Sequence, residues 1–106
     1  MSISTHVLDA VAGRPAAAVP VVLDRRSDTG WTEVARRATD ADGRVADLAA
    51  DAAAGDYRLR FDVERHFAGE TFYPEVVVVF RIVDAAAHHH VPLLLSPFAY
   101  STYRGS

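Results

Sequence analysis

The sequence holds no cysteine, which excludes disulfides, thiolate metal ligands and a cysteine nucleophile. It holds no lysine either. The eleven basic residues are all arginine, set against fourteen acids for a net charge of −3. That mildly acidic balance argues against nucleic-acid binding, which calls for a basic patch. The pairs Arg25-Arg26 and Arg36-Arg37 are interleaved with acids and read as a solvated strand face. Long hydrophobic runs are missing. The strongest, residues 76–80 and 91–95, are far too short for a membrane-spanning helix. Met1-Ser2-Ile3-Ser4-Thr5-His6 lacks the charged start and apolar centre of a signal peptide, and Arg104-Gly105-Ser106 is not a peroxisomal address. A cytoplasmic protein with no membrane and no nucleic-acid partner is the expectation. Also absent are a Gly-x-Ser-x-Gly elbow, a phosphate-binding glycine loop and a His-Glu-x-x-His helix, so no local motif names a reaction.

What is present suits one folded domain over residues 1–106, with half the residues hydrophobic and 24% charged. Strand patterns dominate. Residues 57–64 alternate most cleanly: Tyr57, Leu59, Phe61 and Val63 on one face, Arg58, Arg60, Asp62 and Glu64 on the other. Period two with one polar face predicts a half-buried antiparallel strand. Further strands are expected over 4–10, 19–26, 31–39, 89–95 and 98–104. The β-branched run 75–83 is expected to be buried on both sides. Ser27-Asp28-Thr29-Gly30 and Asp40-Ala41-Asp42-Gly43-Arg44 read as turns, and residues 49–54 as a loop with at most one helical turn. Residues 64–69 break the alternation and are expected to form a short helix. Seven or eight short strands with regular turns predict an all-β sandwich.

Side chains suited to chemistry are scattered. In a strand, His88 and His90 would share a face and His89 would point away. From these residues alone the pair stays open between a solvated strand end, acid–base groups titrating near neutrality and part of a metal site. His6 sits in the first strand, Arg44 follows the Asp-Gly turn, and Ser106 closes a stretch that carries Tyr100, Tyr103 and Arg104. Each of these taken singly reads as an ordinary structural or solvated residue.

The pattern as a whole is more specific. Thr5-His6-Val7-Leu8-Asp9 is followed by Gly13-Arg14-Pro15-Ala16, by Asp40-Ala41-Asp42-Gly43-Arg44 and by Phe72-Tyr73-Pro74. The run from His88-His89-His90-Val91-Pro92 to Ser96-Pro97, and then Tyr100-Ser101-Thr102-Tyr103-Arg104-Gly105-Ser106, closes the chain. Together these resemble the transthyretin-like 5-hydroxyisourate hydrolase family over nearly the full length. The closing Tyr-Arg-Gly-Ser marks the enzymes of that family and separates them from transthyretin, the hormone carrier.

The resemblance implies a sandwich of two four-stranded sheets with one short helix, assembled as a homotetramer with active sites in a channel between dimers. It implies hydrolysis of 5-hydroxyisourate, the product of urate oxidation, to 2-oxo-4-hydroxy-4-carboxy-5-ureidoimidazoline, with no cofactor and no metal. The family's catalytic positions fall on His6, Arg44, His90 and Ser106, and His6, Arg44 and Tyr103 would hold the substrate. One departure is His89, which stands where tyrosine is common; facing away from His90, it should affect chemistry little. Three other readings stay open on the residues alone: a transthyretin-style carrier with an apolar channel, a non-catalytic interaction module, and a histidine metal site.

Overall fold

The computed structural model describes residues 2–106. Nine strands form two sheets: β1 (Ile3–Asp9), β2 (Arg14–Pro15), β3 (Pro20–Ser27), β4 (Gly30–Ala38), β5 (Arg44–Ala49), β6 (Gly55–Asp62), β7 (Glu75–Ile82), β8 (His89–Ser96) and β9 (Ala99–Thr102). One sheet has the order β4-β3-β6-β7. The other runs β2-β1-β8-β9, with β5 also paired to β1. The four-strand expectation thus holds for the first sheet, and the two-residue β2 is an addition to four longer strands in the second.

Period-two alternation builds the core. From β6, Tyr57, Leu59 and Phe61 point inward, and they meet Val21 and Leu23 of β3 and Val76 of β7. From the opposing sheet come Ile3, Val7, Leu93 and Leu95. The polar groups buried with them are satisfied: the Thr5 hydroxyl donates to the Val91 carbonyl (2.6 Å) and that of Thr39 to the Ala16 carbonyl (2.7 Å). β1 is the hub of its sheet. It is antiparallel to β2 and β5 along one edge and parallel to β8 along the other. Gly43 lies between β2 and β5 with φ +74°, and any side chain there would run into the Val7 carbonyl, which is why this turn carries glycine.

Three expectations are corrected. There is no helix among the described residues. Residues 64–69 instead form a string of turns, with bonds from Ala68 N to Arg65 O (3.1 Å) and from Gly69 N to Glu64 O (2.9 Å). One i to i−4 bond, Phe67 N to Val63 O (3.4 Å), is followed by spans of three and five residues and not by a second such bond, and positive φ at Ala68 (53°) and Gly69 (80°) ends the coil before a helix can form. β7 is not covered on both sides: Val77 is 41% and Val79 56% exposed, because among the described residues no third layer lies over the outer face of its sheet. β5 is a strand that alternation did not reveal. It is short, and its pairing with β1 is irregular between Ile3 and Thr5, so no clean period two is imprinted on it.

The outer face of the β3–β6 pair carries a buried carboxylate held by two arginines. Asp24 is only 2% exposed. Arg58 Nε and Arg60 Nε donate to its Oδ2 at 2.8 and 2.7 Å, and the Arg58 guanidinium also lies over the Trp31 ring at 4.5 Å. Burial alone would raise the Asp24 carboxyl, but the hydrogen bonds and charges of Arg60 and Arg58 hold it below its ordinary value. The unfolded chain therefore takes up this proton first. The stabilisation is fully present above about pH 4 and is lost as pH falls through the lower folded value. Asp24→Asn should lower unfolding stability by about 2–3 kcal/mol at neutral pH and remove part of the acid-induced loss. Urea unfolding from neutral pH downward checks this, and parallel pH profiles for the two proteins would refute it.

Candidate active site

Pairing register brings distant residues onto one surface. In the parallel ladder Ser4 lies opposite His90 and His6 opposite Pro92. Along the other edge of β1, His6 lies opposite Arg44. Since side chains alternate, Ser4, His6, Arg44 and His90 share the outer face of this sheet, while Thr5, Val45, His89 and Val91 are buried beneath it. His89 does face away from His90.

The turn before Arg44 is clamped by Asp40. Its Oδ1 accepts from the backbone N–H of both Asp42 and Arg44 at 2.9 Å, and Gly43 N donates to the Asp40 carbonyl at 2.9 Å. This Asx-type turn fixes where β5 begins. The Asp42 carbonyl in turn accepts from His6 Nε2 at 2.9 Å, so Nε2 carries the proton and Nδ1 keeps the lone pair in neutral His6. On the far side, residues 103–106 fold back over β8. Gly105 N donates to the His90 carbonyl at 2.8 Å, and a Cβ at Gly105 would lie 2.5 Å from His90 Cδ2. Only glycine lets the backbone pass so close to the imidazole.

These elements enclose a cavity of about 350 Å³ whose walls include Ser4, Arg44, His88, His90 and Ser106. His6 is not one of its walls but is the direct strand partner of Arg44. Arg44 makes no ion pair among the described residues, unlike Arg58, Arg60 and Arg81, which are spent on Asp24 and Asp56. His90 Nδ1 is 2.7 Å from Ser4 Oγ, and its Nε2 has no hydrogen-bond partner among the described residues. Burial, then the charges of Arg44, His88 and His6, push His90 below the ordinary histidine value. The ring is thus mostly neutral at pH 7, with one nitrogen lone pair free to accept a proton. A neutral imidazole, an uncommitted guanidinium and a hydroxyl around one cavity suit addition of water to a carbonyl.

Of the residues expected at the site, Arg44, His90 and Ser106 are brought together and His6 is adjacent. Tyr103 is 60% exposed and lines a neighbouring cavity of about 220 Å³, walled largely by Val78, Phe80, His89 and Val91, which also touches His90. Sequence reasoning missed Ser4. Its signal was available, two residues before His6 and so on the same strand face. Among the described residues, no third His, Asp or Glu joins His88 and His90 in a metal-ligating group.

The fold and site define a two-sheet sandwich with a polar, imidazole-lined cavity on one sheet face. Residues 3–105 match the HIUase/Transthyretin family, and the chain belongs to that family. It is 47% identical to a 5-hydroxyisourate hydrolase of Salmonella dublin, over 98% of this chain and 80% of that one. Among solved structures, it is similar to Klebsiella pneumoniae 5-hydroxyisourate hydrolase (TM-score 0.87, 34% identity, all of both chains). It is also similar to transthyretin from Sparus aurata (TM-score 0.91, 32% identity, 98% of this chain and 96% of that one). The hydrolase and transthyretin structures share this backbone, so the cavity's side chains must distinguish them.

Removing the Arg44 charge should let His90 protonate more readily. In Arg44→Ala, the His90 titration followed by NMR should move up while remaining below the ordinary value, because burial persists. An unchanged His90 titration would show that the two groups do not share a field.

Proposed function

We propose that this protein hydrolyses 5-hydroxyisourate in urate degradation, with His6, Arg44, His90 and Ser106 as the catalytic group. The observation that carries this reading is the unpaired Arg44 guanidinium across one cavity from a neutral, half-buried His90. A carrier channel would instead be mainly apolar. The planar guanidinium suits the oxygen and nitrogen edge of a urate-like ring. His90 Nε2 takes a proton from water as the oxygen adds to a ring carbonyl. Arg44 stabilises the oxyanion that develops. The carbon–nitrogen bond then breaks as His90 passes its proton to the nitrogen, and the new carboxylic acid gives its remaining proton to solvent, leaving a carboxylate on the carbon. His6, held by the Asp42 carbonyl with its lone pair on Nδ1, orients the substrate beside Arg44. Ser106 adds a hydrogen bond at the opposite wall. No cofactor takes part. Tyr103 acts from the adjoining cavity, through substrate that reaches past His90.

His90→Ala and His6→Ala should each lower kcat/KM on the order of 100- to 10,000-fold with little change in melting temperature. Urate oxidase would generate the substrate in place and ultraviolet absorbance would follow its decay. Full activity in both variants would remove these roles. A folded wild-type protein that binds an aromatic ligand without turnover would favour a carrier.

The same reading takes the protein as a single domain of residues 1–106, cytoplasmic and assembled as a homotetramer. Two edge strands, β7 and β9, each have one unpaired side, and apolar groups near them (Val77, Val79, Phe98 and Tyr100) are exposed in the single chain. Such edges invite pairing with another copy. Light scattering should give four times the 11.5 kDa chain mass, and a monomer at micromolar concentration would contradict it.

A further inference from the structure

Three polar side chains outside that catalytic group form a continuous chain leading away from His90. Ser4 Oγ is 2.7 Å from His90 Nδ1 and 3.0 Å from His88 Nε2. His88 Nδ1 is hydrogen-bonded in turn to Ser2 Oγ. The two imidazoles lie nearly parallel, 16° apart, with centroids separated by 6.4 Å. They do not bond to each other; the Ser4 hydroxyl spans the gap. Ser4 is buried, His90 half-buried and His88 exposed, so the chain runs from the cavity wall to solvent.

We propose that Ser4 and His88 are a proton relay for His90, a role that rests on the hydrolase reading. The hydroxyl has one proton to donate and lone pairs to accept. In one state His90 Nδ1–H donates to Ser4 Oγ, and the Ser4 O–H donates to His88 Nε2. His90 Nε2 then holds the lone pair and takes the proton from water. As it does, the Nδ1 proton passes to Ser4 and the Ser4 proton to His88 Nε2. His90 is left neutral with a proton on Nε2, the atom that faces the substrate, and the positive charge sits on exposed His88. As His90 Nε2 gives its proton to the leaving nitrogen, the two transfers reverse through Ser4, and both rings return to their starting states. No atom or electron is gained or lost beyond the proton.

Two physical features favour this direction of travel. A cation on His90 is opposed by its burial and by Arg44 on β5 and His6 on β1, whereas His88 is exposed. No Asp or Glu among the described residues pairs with either ring, so the carboxylate that commonly orients a basic histidine has no counterpart here. The Ser4–His88 unit takes its place: it fixes which His90 nitrogen bears the proton, and it accepts the charge. The parallel ladder fixes the spacing, since Ser4 and His90 are direct strand partners.

The test measures hydrolysis of enzymatically generated 5-hydroxyisourate by the wild-type protein and by His88→Ala, Ser4→Ala and Ser4→Thr. His88→Ala and Ser4→Ala should each lower kcat on the order of 100-fold with KM nearly unchanged. Ser4→Thr, which keeps the hydroxyl, should recover most of the loss. Added imidazole should accelerate His88→Ala in proportion to its concentration, because that site is open to solvent. It should not rescue Ser4→Ala, where the bridging atom is missing. Wild-type kcat in His88→Ala, or a loss there that imidazole does not restore, would overturn the relay and leave the hydrolase reading intact. No hydrolysis by the wild-type protein would overturn both.

Discussion

The parallel ladder between β1 and β8 is the constraint on which the site depends. Antiparallel neighbours can be joined by a tight turn, but a parallel pair needs a long connection. Here the connection is most of the chain: everything from β2 to β7 is laid down between these two strands. That order places the first histidine and the last ones side by side, with Ser4 opposite His90. The burial of Ile3, Val7, Leu93 and Leu95 holds the register. A slip of one residue would turn those side chains outward and send Ser4, His6 and His90 into the core. The same hydrophobic burial that stabilises the sheet therefore fixes the geometry of the polar face above it.

The arginines divide according to what surrounds them. On the outer face of the other sheet, Arg58, Arg60 and Arg81 are matched to Asp24 and Asp56, and their charge is neutralised locally. Arg44 is delivered by a turn whose Asp40 carboxylate is occupied with backbone N–H groups, and among the described residues Asp42 makes no ion pair with Arg44. Its guanidinium is left to act on the cavity and on His90. The adjoining cavity by Tyr103 is walled mainly by apolar groups. The two cavities therefore differ in lining, one polar and one mainly apolar, on a backbone that the hydrolase and transthyretin structures share.

Much of the fold was legible. Residues 57–64 displayed their two faces plainly, and the Asp-Gly turn before Arg44 announced itself. What stayed hidden has physical causes. β5 pairs irregularly and carries Ala46 and Asp47 where alternation would need contrast, so its strand character comes from β1 and not from its own pattern. Residues 64–69 have helix-compatible side chains, but the positive φ at Ala68 is imposed by the route the chain must take. The run 75–83 is apolar at nearly every position, and that pattern alone cannot distinguish a strand covered on both faces from an edge strand with one face open. Ser4 could be placed on the His6 face by alternation, but its link to two imidazoles waited on the partner strand.

By itself, the sequence determined the strand periods, most of the turns, and the residue types that make this family recognisable: His6, Arg44, His90 and the closing Tyr103 to Ser106. These are local properties, set by alternation of side chains and by glycine and aspartate in turns. Only the tertiary structure decided that positions 6, 44 and 90 meet on one sheet face, that Tyr103 lies in the next cavity, and that Ser4 bridges two imidazoles. The reason is that period two fixes a side chain's face only relative to its own strand. The partner strand and its register are chosen by burying apolar side chains that lie far apart in the chain.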